Sequence, residues 1–219
     1  MTRILAHASS RSRPRREVLR GRLSLATPAL LPELRFYRAD PHSGLTRLAS
    51  SGGAPYWAYA WAGGLALARY LVDHPDSVAQ KRVLDLGAGC GLVAIAAMKA
   101  GALQATAIDV DPDAISAIAL NAEANAVSVA ALCGDPLDGP PPDVDLVLVG
   151  DLFYEAGLAV RATAFLDRCR QAGIGALVGD PGRASLPQAR LERLAEYRVA
   201  DFGDAPDAAA TASAVFAFV

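Results

Sequence analysis

From residue 82 onward, short runs of apolar and β-branched residues alternate with longer stretches whose apolar positions recur at helical spacing. That alternation is the pattern of β-α-β units building a parallel sheet. Strands are predicted at 82–86, 105–109, 128–132, 144–149, 174–179, 197–202 and 212–218. The first, fourth and fifth are near-continuous apolar runs, as expected of central strands covered on both faces. The last two stand too close together to admit a helix between them, which predicts an antiparallel pair at one edge. Between the first two strands, Leu92 to Ala100 is apolar all round and stops at Gly101, a helix packed on the sheet. The next helix takes Asp111 as N-cap and Pro112 as first residue, with Ile115, Ile118 and Ala122 on one face. The fold class expected is α/β, a Rossmann-like seven-stranded sheet, mostly parallel with an antiparallel edge.

Upstream the texture changes. Residues 23–80 carry Pro28, Pro32, Pro41, Pro55 and the cluster Ser50-Ser51-Gly52-Gly53, then an apolar stretch from Gly64 to Val72 that reads as a short helix ending before Pro75. Residues 1–22 hold Arg3, Arg11, Arg13, Arg15, Arg16, Arg20 and Arg22 against Glu17 alone, so this arm is strongly basic and the remainder acidic. The organisation predicted is an arginine-rich arm over 1–22, an N-terminal cap over 23–80 and the α/β domain over 81–219.

Composition narrows the class. A chain of 219 residues with 53% hydrophobic residues suits one α/β domain and excludes a disordered one. No stretch approaches the roughly 18 apolar residues that span a bilayer, so no membrane partner is expected. Cys90, Cys133 and Cys169 stand far apart, and His7, His42 and His74 form no ligand spacing, so neither a disulfide framework nor a metal is expected. A reducing compartment follows, cytoplasmic, or the mitochondrial matrix if the arginine-rich start is a transit peptide. Of the readings open for that arm, a solvated N-terminus leading into a helix is favoured over a transit peptide or a nucleic-acid arm, because charge runs are usually solvated.

The sharpest motif is Val83-Leu84-Asp85-Leu86-Gly87-Ala88-Gly89-Cys90-Gly91, a buried strand running into a glycine-rich turn that opens a helix. Glycines there permit positive φ and close backbone approach to a ligand. A dinucleotide fingerprint would need a small residue where Leu92 stands, which weighs against NAD. Asp109 closes the second strand, where a carboxylate can accept two hydrogen bonds from a ribose diol. Asp135, in Gly134-Asp135-Pro136, could meet an adenine amino group or simply form a turn. After the fourth strand comes Asp151-Leu152-Phe153-Tyr154-Glu155, which places an acid and two aromatics over the same crevice. Asp151 could hold an incoming amine and assist loss of its proton, while Phe153 and Tyr154 border the transferred group. Gly179-Asp180-Pro181-Gly182-Arg183 repeats the strand-then-turn arrangement, so Asp180 or Arg183 could face the same rim. Pro55-Tyr56-Trp57-Ala58-Tyr59-Ala60-Trp61-Ala62-Gly63-Gly64 concentrates both tryptophans, as buried anchors or as a lid.

The run at 83–91 resembles motif I of class I S-adenosylmethionine-dependent methyltransferases. Together with Asp109, the D-L-F-Y-E run, the G-D-P-G-R run and the P-Y-W-A-x-x-W-x-G-G segment, it resembles the lysine methyltransferases that act on the β-subunit of electron transfer flavoprotein. The resemblance covers about residues 55–185. It implies methyl transfer from S-adenosylmethionine, with S-adenosylhomocysteine as product, to lysines of that subunit; a monomer is expected. It implies catalytic roles for Asp151, Phe153 and Tyr154, and a cofactor-binding set of Trp61, Asp85, Gly87, Ala88, Gly89, Gly91, Asp109 and Asp135. A small amine of the nicotinamide type is the alternative acceptor, and a non-catalytic cofactor-binding scaffold the alternative class. No nucleic-acid substrate is expected, because Asp151-Leu152-Phe153-Tyr154 lacks the two middle prolines of the loop in nucleic-acid amino-methyltransferases and the acidic body repels phosphate.

Overall fold

Val83, Leu84 and Leu86, like Leu146 to Val149, point apolar side chains to both faces of a strand, and such strands are stable only beneath helices on both sides. A computed structural model of the chain, which describes residues 12–40, 43–44, 55–199 and 210–219, sets them at the centre of a seven-stranded sheet. The elements are α1 (Ser12–Arg20), β1 (Ser24–Ala26), β2 (Phe36–Arg38), α2 (Ala62–Asp73), β3 (Arg82–Leu86), α3 (Leu92–Lys99) and β4 (Gln104–Asp109). They continue with α4 (Pro112–Ala124), β5 (Ala130–Cys133), β6 (Leu146–Gly150), α5 (Ala156–Gln171), β7 (Gly175–Asp180), β8 (Leu191–Val199) and β9 (Thr211–Phe218).

The sheet order is β5-β4-β3-β6-β7-β9-β8, parallel from β5 through β7, with β9 antiparallel to both its neighbours. This is the Rossmann-like architecture expected, with its antiparallel pair at one edge. From β3 the chain steps out to β4 and β5, then returns to β6 on β3's other side. The strand order therefore reverses at β3, and reversal opens a crevice above the carboxyl ends of β3 and β6.

Alternate strand residues feed two cores. Val83, Ala105, Ala107, Leu146 and Leu148 join α2, α3 and α4 on one face, and α3 is buried from Leu92 to Ala97 because its surface is apolar all round. Leu84, Leu86, Val147, Val149 and Val178 meet Phe165, Leu166 and Cys169 of α5 on the other. The link from β5 to β6 contains Pro136, Pro140, Pro141 and Pro142 and forms no helix. It is tied to α5 instead, by Arg161 to Asp135 and Asp138 and by Arg168 to the Leu137 carbonyl.

The helix starting at Asp111 forms as expected: its carboxylate accepts from the Asp113 N–H at 2.8 Å and Pro112 leads the first turn. Three strands are displaced. β6 begins at Leu146 rather than Val144. β5 begins at Ala130 rather than Ser128, since Ala126 takes a left-handed φ of +54° and the chain is still turning out of α4. β8 begins at Leu191, well ahead of residue 197, and residues 200–202 of that prediction lie outside the described residues. Its Leu, Glu, Arg and Ala content favours helix locally, but pairing from Leu191↔Phe218 to Val199↔Thr211 with β9 overrides it.

The N-terminal region builds on the same body. α2 starts at Ala62 and packs on α3, β7 and β9, so this upstream helix is a layer of the domain. α1 lies on α4, where Leu19 is fully buried in a cluster with Ala114, Ala117 and Leu120. Arg15 donates to both oxygens of the buried Asp113 at 2.6 and 2.5 Å, and Arg20 pairs with Glu123 at 2.8 Å. These arginines are therefore ion-paired rather than merely solvated. Arg3 and Arg11 lie outside the described residues, as does the Ser50–Gly53 cluster. Among the described residues no helix is long and apolar enough to cross a membrane.

Candidate active site

The glycine turn after β3 has the backbone its sequence demands. Gly87, Gly89 and Gly91 take φ values of +68°, +52° and +81°, the left-handed region that L side chains avoid. Gly87 and Gly89 line a cavity of about 590 Å³ at the crevice over β3 and β6, a size within the roughly 300–1,000 Å³ usual for small-molecule sites. Gly91 serves another end: it caps α3, and a Cβ there would press within 3.1 Å of Ile118. Neither Gly91 nor Ala88 is among the cavity-lining residues.

Asp85 also stays behind the wall. It is buried and accepts from the Ala94 N–H at 2.9 Å, so it holds the start of α3 against β3 instead of meeting a ligand directly. Burial pushes its carboxyl up to about 7, with the Ala94 N–H pulling the other way. Asp109 does line the cavity. One of its oxygens accepts from the Gly89 N–H at 2.8 Å and the other from the Asp111 N–H at 2.9 Å. The carboxylate thus clamps the glycine turn and keeps a further lone pair on each oxygen, while burial raises its pKa. Asp135 lines the cavity too, but one oxygen is paired with Arg161 at 2.8 Å and the other receives the Leu137 N–H at 3.0 Å. Ile108, Val110, Pro136 and Leu137 complete this half with apolar surface suited to a purine ring.

The opposite half centres on Asp151, at the end of β6. It is only 8% exposed, lines the cavity and adopts φ +55°, a conformation costing a non-glycine residue about 1–2 kcal/mol. Three contacts hold it there. Its N–H donates to the Gly179 carbonyl at 3.0 Å, Oδ2 accepts from the Gly64 N–H at 2.6 Å, and Oδ1 accepts from Arg183 Nη2 at 2.8 Å. Gly64 belongs to the first turn of α2, so the positive end of that helix faces the acid. Its approach requires Gly63, where a Cβ would lie 2.3 Å from the Gly179 carbonyl oxygen. Burial lifts the Asp151 carboxyl to about 6, and Arg183 and the Gly64 N–H oppose the rise.

The aromatics divide. Tyr154 is 59% exposed on the cavity wall, its ring 6.2 Å from that of Tyr56, which lies 5.9 Å from Trp61. Trp61 donates its Nε1–H to the Tyr56 carbonyl at 3.0 Å and also lines the cavity. Phe153 does not. It is fully buried in the core with Val147, Val149 and Phe165, so the expectation that it borders the transferred group is corrected to a packing role. Its ring joins that core, while its chain neighbours Leu152 and Tyr154 line the cavity. Glu155 closes the run as N-cap of α5, accepting from Gly157 and Leu158.

Sequence reasoning missed Gly64, whose only signal was a glycine pair at a helix start, and Tyr56 and Trp57, which it left between core and lid. Trp57 is buried on the cavity wall. Arg183, named there only as a rim residue, is brought onto Asp151 itself. Among the described residues no group of three metal-ligating side chains gathers. The geometry is that of a site with an adenosine-sized half and an acid-and-aromatic half, joined at the glycine turn.

A family model described as ribosomal protein L11 methyltransferase (PrmA) matches residues 70–149, the stretch from the end of α2 to β6. The solved 16S rRNA N2 G1207 methyltransferase of T. thermophilus, in complex with AdoMet and guanosine, shares the fold at a TM-score of 0.56 and 19% identity, over 90% of this chain and 50% of that one. Two relatives are named electron transfer flavoprotein beta subunit lysine methyltransferase. That of Rattus norvegicus is 43% identical over 170 residues, 75% of this chain and 67% of its own length. That of Xenopus laevis is 39% identical over 221 aligned positions, 98% of this chain and 85% of its own length. The chain belongs to the electron transfer flavoprotein beta subunit lysine methyltransferase family.

Proposed function

We propose that this protein transfers methyl groups from S-adenosylmethionine to lysine ε-amines of the electron transfer flavoprotein β-subunit. The observation that carries the reading is Asp151: a mostly buried carboxylate in a strained backbone conformation, held by three contacts at the carboxyl end of β6, with Tyr154 and Tyr56 on the same cavity wall. The relatives' names supply the acceptor. The residues lining the cavity fit the cofactor: Gly87 and Gly89 open their backbone to it, Asp109 offers a carboxylate for the ribose, and Ile108, Val110 and Leu137 offer an apolar bed for the base. S-adenosylmethionine, when bound, supplies an electrophilic methyl group on a sulfonium.

The protein's task is then to present a neutral amine. A lysine ammonium carries three protons and has an ordinary pKa near 10.4, so one proton must leave before the nitrogen lone pair is free. Asp151, ionised above pH about 6, accepts a hydrogen bond from a remaining N–H and turns the lone pair toward the donor half of the cavity. As the new N–C bond forms, positive charge appears on nitrogen, where the faces of Tyr154 and Tyr56 attract it. Orientation and desolvation account for most of such a rate.

The test is transfer of labelled methyl with electron transfer flavoprotein, nicotinamide and bulk RNA offered separately, followed by peptide mapping. Label on lysines of the β-subunit is expected. Asp151→Asn should cut kcat at least 100-fold while leaving cofactor affinity within a few-fold. Label on nicotinamide or RNA alone would replace the acceptor class, and equal loss of turnover and cofactor binding in the variant would remove the role given to Asp151.

A further inference from the structure

The lysine reading leaves Arg183 without a task. It stands on the turn after β7, in a position built by the chain around it. Asp180, fully buried at the end of β7, uses Oδ1 to accept from the N–H groups of both Gly182 and Arg183 at 2.7 Å. That clasp folds the turn back over the neighbouring strand, Gly182 supplying the left-handed φ of +91° that the reversal needs. β6 and β7 pair in register with Gly150 opposite Gly179, so the ends of the two strands, Asp151 and Asp180, are adjacent. The Arg183 side chain spans them: Nη2 bonds Asp151 Oδ1 at 2.8 Å, and Nε lies 3.8 Å from Asp180 Oδ2. Nε and Oδ2 are both buried without a hydrogen-bond partner, so the guanidinium is placed as a bridge between two acids and committed at close range to Asp151 alone.

We propose that Arg183 is a positioning residue for Asp151, keeping that acid an oriented carboxylate in the neutral pH range at which an amine must be received. The inference rests on the methyl-transfer reading above. Its physical basis is that Asp151 is nearly cut off from water, and an isolated buried carboxylate takes up a proton rather than remain charged. A protonated Asp151 would turn an O–H outward and present a donor where an amine's N–H needs an acceptor. The groups around it are few. α2 offers the Gly64 N–H, the turn after β7 offers Arg183 with Asp180 behind it, and Asp109, Tyr56 and Tyr154 share the cavity. Arg183 is the only cation among these, and Asp180 acts against it as a like charge. A fixed fork also suits the task, because it holds Oδ1 in one direction while Gly64 holds Oδ2.

The experiment follows the Asp151 carboxyl carbon by NMR in protein carrying 13Cγ-labelled aspartate, assigned by its loss in Asp151→Asn, with no cofactor or acceptor present. In Arg183→Gln its titration midpoint should move up by about 1–3 pH units, and the acid limb of kcat/KM on the β-subunit should move with it. Arg183→Lys, which keeps the charge and gives up the fork, should hold the midpoint nearer the parent value while lowering kcat. A midpoint unchanged in Arg183→Gln, or displaced as far in Arg183→Lys as in Arg183→Gln, would overturn the proposal. If Arg183→Gln does not fold, the lysine variant decides: a midpoint displaced by a full unit or more counts against it and a retained one supports it. Because the NMR titration needs no turnover, failure of the methyl-transfer reading would appear separately, as an unmodified β-subunit with the parent protein.

Discussion

Asp85 and Asp151 are both carboxylates at the ends of central strands, and their surroundings give them different tasks. Asp151 meets a cation and a helix N-terminus, whereas Asp85 has one N–H partner, from Ala94, and a dry core. Its pKa of about 7 lies above the ordinary value of an unfolded chain, so the folded state binds a proton that the unfolded state releases. The sign follows: its contribution to stability is greatest below pH 4 and declines as pH rises toward 7, by about 1.4 kcal/mol per unit at the steepest. Urea unfolding of the parent and Asp85→Asn between pH 4.5 and 6.5 should show the stability difference sliding toward the variant with that slope. A pH-independent difference would mean that Asp85 titrates alike in both states. The acid in the motif and its bearing on the glycine turn were legible from sequence, but its burial away from the cavity was not, because strand alternation tells which face a residue occupies and not what lies over it.

Among the elements, α1 forms where the arm was expected to lead into a helix, but its docking on α4 was not expected. Arginine content alone marks a solvated segment, yet Leu19, next to the exposed Val18 in a charged run, is fully buried against α4. The docking surface is made of Ala114 and Ala117, small enough to let the helices approach, and Arg15 seals it over Asp113. Leu19→Ala should therefore cost about 2–5 kcal/mol, read as a lowered midpoint in urea unfolding with unchanged slope. A loss below about 0.5 kcal/mol would show that α1 does not dock in solution. The same limit of local reading displaced β8: six residues of helix-favouring composition became an edge strand because β9 offered a ladder. By contrast α3, α4, β3 and β7 were legible to within a residue or so, since their boundaries are set by Gly101, Asp111-Pro112 and continuous apolar runs.

For the molecule as a whole, the cavity joins the reversal point of the sheet to a helix drawn from the N-terminal third, so cofactor binding should be felt globally. A ligand that binds only the folded state at 100 times its Kd stabilises by about 2.7 kcal/mol, roughly 5–10 °C in Tm for a chain this size. S-adenosylmethionine should raise Tm by that amount in the parent protein. Asp109→Ala, which removes the carboxylate proposed for the ribose and the clamp on Gly89, should lose most of the rise. An undiminished rise in that variant would place the ribose elsewhere.

The amino-acid sequence by itself determined the parallel strands β3 to β7 to within about two residues, the two helices that follow β3 and β4, the glycine turn and the acids near the strand ends. Each of these is specified over a few residues, by alternation, helical period or turn chemistry. Tertiary structure decided which acids work together and what surrounds them. Gly64 reaches Asp151 across 87 positions of chain, Arg183 reaches it across 32, and Arg15 reaches Asp113 across 98. Nothing in the local pattern distinguishes Phe153, sunk in the core, from Tyr154 beside it on the cavity wall. Those choices belong to the packing of α2 on the strand ends, where glycines at 63 and 179 let two backbones touch, and close approach between distant segments is a property that only the closed sheet and its helices possess.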